Sequence, residues 1–105
     1  MLITTAHDFA DHEVSETLGL VRGSSIRTRH IFTDITEWFR NLVGAELHHY
    51  TKMMAETREQ ALDRMIEDAR RRGANAVISV RLEMSNIAAA AAEVIAYGTA
   101  VVIDD

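Results

Sequence analysis

The sequence predicts an α+β fold, a small and mostly antiparallel sheet packed by two helices in the order strand-helix-helix-strand-strand. Three observations carry that reading. A strongly amphipathic helical pattern stops at Arg72-Gly73-Ala74-Asn75. An alternating strand pattern starts at once with Ala76-Val77. A second strand, ending Gly98-Thr99-Ala100-Val101-Val102-Ile103, closes the chain.

The elements follow in order. Residues 2–5 suit a short strand, and residues 14–29 a longer one interrupted by Gly19 and Gly23. A glycine inside a strand marks a bulge or a close backbone approach. A first helix starts near Asp34, which can cap it, and Glu37 three residues on suits a return contact. Ile35, Trp38, Phe39, Leu42 and Val43 form one apolar stripe, and Gly44 is a natural terminator. A second helix runs from about Tyr50 to Arg72. Tyr50, Met53, Met54, Thr57, Ala61, Met65 and Ala69 share a face, with Leu62 and Ile66 on its flank. A methionine stripe at this spacing reads as core before it reads as an adaptable ligand groove. Glu67–Arg71 and Asp68–Arg72 are favourable i, i+4 pairs. Arg70-Arg71-Arg72 falls in the last turn, where cations complement the helix dipole.

In the next strand Ala76, Ile78, Val80, Leu82 and Met84 alternate with Val77, Ser79, Arg81, Glu83 and Ser85. That predicts one face under the helices and one face wet. In the last strand both alternating sets, Val94 to Val102 and Ile95 to Ile103, are largely apolar. A two-sided apolar strand needs cover on both sides, and so small a chain has little mass to supply it. The pattern therefore predicts a subunit interface.

Composition bounds the function. The 105 residues suit a single domain over 1–105. Hydrophobic residues make up 48%, too many for disorder. Cysteine is absent, which excludes disulfides, thiolate metal sites and cysteine nucleophiles. No basic n-region and long apolar run open the chain, and no stretch approaches the roughly 20 apolar residues of a membrane helix. The expectation is a cytoplasmic protein. A net charge of −5 argues against nucleic acid as a partner.

The chain resembles the YbjQ family, small bacterial and archaeal proteins that carry a heavy-metal-binding label. The resemblance spans nearly the whole chain. It rests on Gly19-Leu20-Val21-Arg22-Gly23, Ile31-Phe32-Thr33-Asp34, Arg40 with Val43-Gly44, then Tyr50 and Arg58-Glu59. Gly73-Ala74-Asn75-Ala76-Val77 and Gly98-Thr99-Ala100-Val101 complete the set. It implies a subunit that assembles with copies of itself into a ring, a pentamer or a multiple of it. One stretch departs from the family pattern. Ala45-Glu46-Leu47-His48-His49 stands where relatives tend to place a second glycine and a serine, in what reads as a loop before Tyr50.

Candidate chemistry is sparse. A metal site would have to use histidine and carboxylate, which suit zinc or nickel. His7, Asp8, Asp11 and His12 would stand at chelating i, i+4 separations on a helical turn, and an extended loop would destroy that geometry. His48 and His49, near Glu46, are adjacent and diverge on any regular backbone, so they chelate one ion poorly. Solvated or locally bonded histidines are the simpler reading. Ser24-Ser25 shows no nucleophile-elbow pattern, and no phosphate loop or dinucleotide fingerprint occurs. Arg40, Arg58 and Glu59 suit either a pocket between subunits or ion pairs that fix subunit register. Three functions follow in order: a homo-oligomeric binding or scaffolding module that is not an enzyme, a histidine/carboxylate metal binder, and a small-ligand enzyme with an inter-subunit site.

Overall fold

Fifteen residues of strand rise about 50 Å, and such a strand dominates this chain. The computed structural model describes residues 1–28, 45–88 and 91–104, with side chains over 1–26, 52–85 and 92–104. Strand β1 is Leu2–Ile3, β2 is Val14–Thr28, helix α1 is Ala45–Arg71, β3 is Ala76–Ala88 and β4 is Ala91–Ile103. The sheet has the order β1-β3-β4-β2. β4 lies antiparallel between β2 and β3, and β1 pairs parallel with the start of β3.

Two expectations change here. The sheet is mixed, because β1 runs parallel to β3 through a connection that includes β2 and α1. Among the described residues one helix packs it, and the order is strand-strand-helix-strand-strand. The predicted first helix, with its stripe from Ile35 to Val43, lies outside the described residues. The other helix begins at Ala45, not near Tyr50, so the stretch expected as a loop is helical backbone.

The apolar face of α1 is as the periodicity predicts. Thr57, Ala61, Met65 and Ala69 are fully buried, and Met54, Leu62 and Ile66 are half-buried against the same core. They pack on Val21 of β2, on Val77 and Val80 of β3, and on Val94, Ala96 and Ala100 of β4. Thr57 donates to the carbonyl of Met53, one turn back, at 2.7 Å, which satisfies its hydroxyl. Ser25, also buried, donates to Gln60 Oε1.

Helix and sheet meet closest at Gly23. A Cβ there would fall on the amide of Met65 and the carbonyl of Ala61, and would stand 2.7 Å from the carbonyl carbon of Arg64. β2 and α1 therefore cross with backbone against backbone. Gly98 fills the same role inside the sheet, where a Cβ would lie 2.8 Å from Val77 Cγ1.

Strict alternation fails in β3. Ser79 has φ of 54°, a left-handed conformation rare for a residue with a Cβ, and the register slips between Ile78 and Arg81. A bulge shifts the side-chain parity of everything beyond it. Val77 before the bulge and Val80 after it both belong to the core under α1. Ala76 and Ile78 belong instead to a second core with Phe9, Val101 and Ile103, on the opposite face. The five residues expected on one face thus divide between two. A second irregularity, between Thr17 and Gly19, uses the positive φ of Gly19.

The described fold is long. Its extents are 57 × 21 × 16 Å, and its radius of gyration of 17.6 Å exceeds the about 13 Å of a compact chain of this length. β2, β3 and β4 run together well past the second core.

Replacing Gly23 by alanine should cost about 3 kcal/mol, because backbone cannot yield as a side-chain tip can. The check is urea unfolding, with a lower midpoint and an unchanged slope expected; a midpoint equal to wild type would refute the crossing.

Candidate functional site

The hinge after α1 fixes how the last strands leave the helix. Gly73 takes φ of 87°, and the amides of Arg72, Gly73 and Ala74 return to carbonyls of the last helical turn at 3.0 to 3.1 Å. Asn75 then does what the sequence did not announce. Its carboxamide nitrogen donates to the carbonyl of Ile103 at 2.9 Å, and its oxygen accepts the amide of Ile103 at 2.8 Å. Its own amide donates to Val101. One side chain thus stands in for a neighbouring strand and ties the hinge to the end of β4.

Beyond that anchor, the sheet face away from α1 is largely open. Leu20, Arg22, Ser24 and Ile26 of β2 lie across from Thr99, Tyr97, Ile95 and Glu93 of β4. Arg81, Glu83 and Ser85 of β3 continue the rows opposite Tyr97, Ile95 and Glu93. The mixture is amphipathic. Leu20 is 62% and Ile26 55% exposed, while Ile95 and Tyr97 are half-buried. Tyr97 donates its phenol to Glu83 Oε1 at 3.0 Å. That hydrogen bond, with a smaller effect of burial and of the Glu83 charge, holds the phenol above its ordinary value of 10.0, against a weaker pull from Arg81. Arg81 is committed elsewhere, donating to the carbonyls of Thr5 and Val80 at 2.9 Å each.

The other half of this face is covered by the N-terminal segment, with Phe9 on Ile103 and Val101. The strand expected to need a partner on its second side is therefore partly covered by its own chain. The segment is pinned by its histidines. His12 Nδ1 donates to the carbonyl of Asp104 at 2.9 Å, and His7 Nδ1 meets Ser79 Oγ at 3.3 Å.

Those bonds use only the Nδ1 atom of each ring. His12 Nε2 has Asp11 Oδ1 at 3.8 Å, a pair and not a coordination sphere. Among the described residues, no three histidine or carboxylate groups converge on a metal position. His48 and His49 lie in the first turns of α1, with side chains outside the described set. Arg40 is outside the described residues. Arg58 and Glu59 are exposed on α1, next to the buried Thr57 in sequence but not in the core.

The arginines at the helix end act locally. Asp68 meets Arg71 at 3.7 Å and, as the spacing predicts, Arg72 at 3.5 Å. Glu67 pairs with Arg70 instead of Arg71. Asp68 also reaches the sheet, accepting the amide of Arg22 at 3.3 Å. Arg64 likewise donates to the carbonyl of Ser24 at 2.6 Å. Both bonds land on the outer edge of β2.

A family model described as "Putative heavy-metal-binding" matches residues 1–104. The chain belongs to the YbjQ family. YbjQ-type relatives include a UPF0145 protein of Methanococcus maripaludis, 54% identical over 101 residues, covering 96% of this chain and 90% of the relative. Another, from Clostridioides difficile, is 50% identical over 105 residues, covering 100% of this chain and 94% of the relative. The YbjQ fold is matched by the crystal structure of a protein with unknown function from Pediococcus pentosaceus. It has a TM-score of 0.66 and 18% identity, and covers 99% of this chain and 98% of that one. These relatives span archaea and bacteria, and their names state no activity. Among the described residues of this YbjQ protein, no helix is long and apolar enough to cross a membrane.

Two outcomes are expected. Asn75→Ala should lower stability by about 2 kcal/mol, since it leaves both polar groups of Ile103 without their partner; thermal unfolding monitored by circular dichroism measures it. In a Tyr50→Phe background, the phenol of Tyr97 should titrate above pH 10 and fall back in Glu83→Gln, read by ultraviolet difference absorbance. Folded and unfolded chains both carry a neutral phenol below its ordinary value. The bond's contribution is therefore fully present there and is lost as the pH rises through the raised folded value.

Proposed function

We propose that this protein is a homo-oligomeric binding or scaffolding module of the cytoplasm, not an enzyme, whose subunits close into a ring, a pentamer. One observation carries the reading. The open half of the outer sheet face sets Leu20 and Ile26, both more than half exposed, beside the half-buried Ile95 and Tyr97 on a chain only 16 Å thick. Isolated surface leucines are ordinary, but large apolar side chains sharing one flat face are a surface for a partner. The elongation supports the same reading, because a long sheet gains its second layer by packing against another copy.

The heavy-metal description fits the single chain poorly. Thiolate is absent from the sequence, and among the described residues no three histidine or carboxylate groups converge on a metal position. Structural and assembly roles account for the polar residues that are described.

Size-exclusion chromatography with light scattering tests the reading. Wild type is expected to run as a closed oligomer at micromolar concentration, and Leu20→Glu with Ile26→Glu as a particle below ring mass with unchanged circular dichroism. A monomeric wild type would overturn it, and so would a double variant that keeps the wild-type mass.

A further inference from the structure

The sheet has two edges, and they are treated differently. α1 lies over β2 and β4 and barely reaches β3. From there its side chains hook over the rim of β2, where Asp68 takes the amide of Arg22 and Arg64 the carbonyl of Ser24. The middle of that edge is closed to an incoming strand. On the other side, β1 pairs only with Ala76 and Val77. The amides of Ser79 and Val80 go to Ala6 and Thr4, and there the N-terminal segment stops covering β3.

Alternation settles which backbone groups beyond Val80 point outward. Arg22 and Ser24 face away from β4, so their partners Tyr97 and Ile95 turn their own polar groups toward β3. Arg81 and Glu83, opposite Tyr97 and Ile95, therefore bond inward. Leu82, Met84 and Asn86 are left pointing out. The same stretch carries Leu82 at 41% and Met84 at 65% exposure, both on the α1 side of the sheet. Among the described residues this edge is open beyond Val80, and an open edge with apolar side chains and no proline or lysine is a template for strand addition.

We propose that the edge of β3 from Leu82 to Asn86 pairs antiparallel with the same edge of a second copy, about a two-fold axis at Met84. The occupant is a second copy because the stretch is complementary to itself. Centred on Met84, Leu82 faces the partner's Asn86, and Met84 faces the partner's Met84. Glu83 faces the partner's Ser85. Centring the axis on Glu83 would set two carboxylates directly opposite, which is destabilising. Centring it on Leu82 would bring the partner against Val80, whose amide is already taken by Thr4. Head-to-tail addition to β2 would meet the Asp68 and Arg64 caps. The contact goes beyond the ring reading and does not require it. A two-fold contact forms a dimer from free subunits and joins two rings where rings exist.

The absence of cysteine makes the test clean. Directly opposed, hydrogen-bonded residues stand about 5.5 Å apart at Cα, within disulfide range. Oxidation of Met84→Cys with diamide at micromolar concentration should yield a disulfide-linked dimer on a non-reducing gel. Asp63→Cys, exposed on α1 and away from both the edge and the outer sheet face, should stay monomeric on that gel. Leu82→Cys mixed with Asn86→Cys should cross-link more than either alone. In unmodified protein, the amides of Leu82, Met84 and Asn86 should exchange slowly at high concentration and faster on dilution. Failure of Met84→Cys to link would overturn the proposal, as would equal linking by Asp63→Cys or fast exchange of the three amides at all concentrations. A particle of ring mass without the disulfide would leave the ring standing alone; a linked two-subunit particle would do the reverse.

Discussion

The contact of α1 with β2 at Gly23 is the constraint on which the rest depends. With no side chain between them, the helix backbone lies directly on the strand. That brings Ala61, Met65 and Ala69 down to the level of Val21, Ala96 and Ala100, all fully buried. A core of alanines and valines can be dense only if the layers approach this closely, because short side chains cannot bridge an ordinary separation. The same closeness lets Asp68 and Arg64 reach the backbone of β2. The crossing therefore fills the core and caps one edge at once.

The bulge at Ser79 divides the sheet into two regions with different partners. Before it, Ala76 and Ile78 serve the small core closed by Phe9; after it, Val80 joins the core under α1. A continuous strand in perfect alternation would put those residues on one face and leave Phe9 only Val101 and Ile103 of this core to cover. The left-handed Ser79 sits where the amides of Ser79 and Val80 both turn to the N-terminal segment. Strain there is offset by bonds on both neighbouring amides.

Much of this was legible. The spacing of Thr57, Ala61, Met65 and Ala69 identified the buried face of α1, and Gly73 its end. Gly19 and Gly23 were read as a bulge or a close approach, and each is one of the two. The resemblance placed the family. What stayed hidden depends on contacts distant in sequence. Nothing around Ser79 marks a bulge, because the cause is the crossing of residues 4 to 6. Asn75 stood in the hinge motif as a letter, and its bonds go to a residue 28 positions on. The bonds of His7 to Ser79 and of His12 to Asp104 cannot be read from local spacing either. The helical start at Ala45 was masked by Gly44, which read as a stop.

The described polar side chains share a pattern that bears on function. His7, His12, Arg64, Asp68, Asn75 and Arg81 each bond across the chain to hold one element on another, and all but His7 do so through a backbone group. Tyr97 and Glu83 are the exception, a mutually bonded pair on an open face with no backbone partner. They lie in the two rows between those of the apolar Leu20 and Ile26, on the same face. A phenol and a carboxylate joined to each other satisfy one another's polar groups, so the proposed packing of another copy on this face would leave neither without a partner.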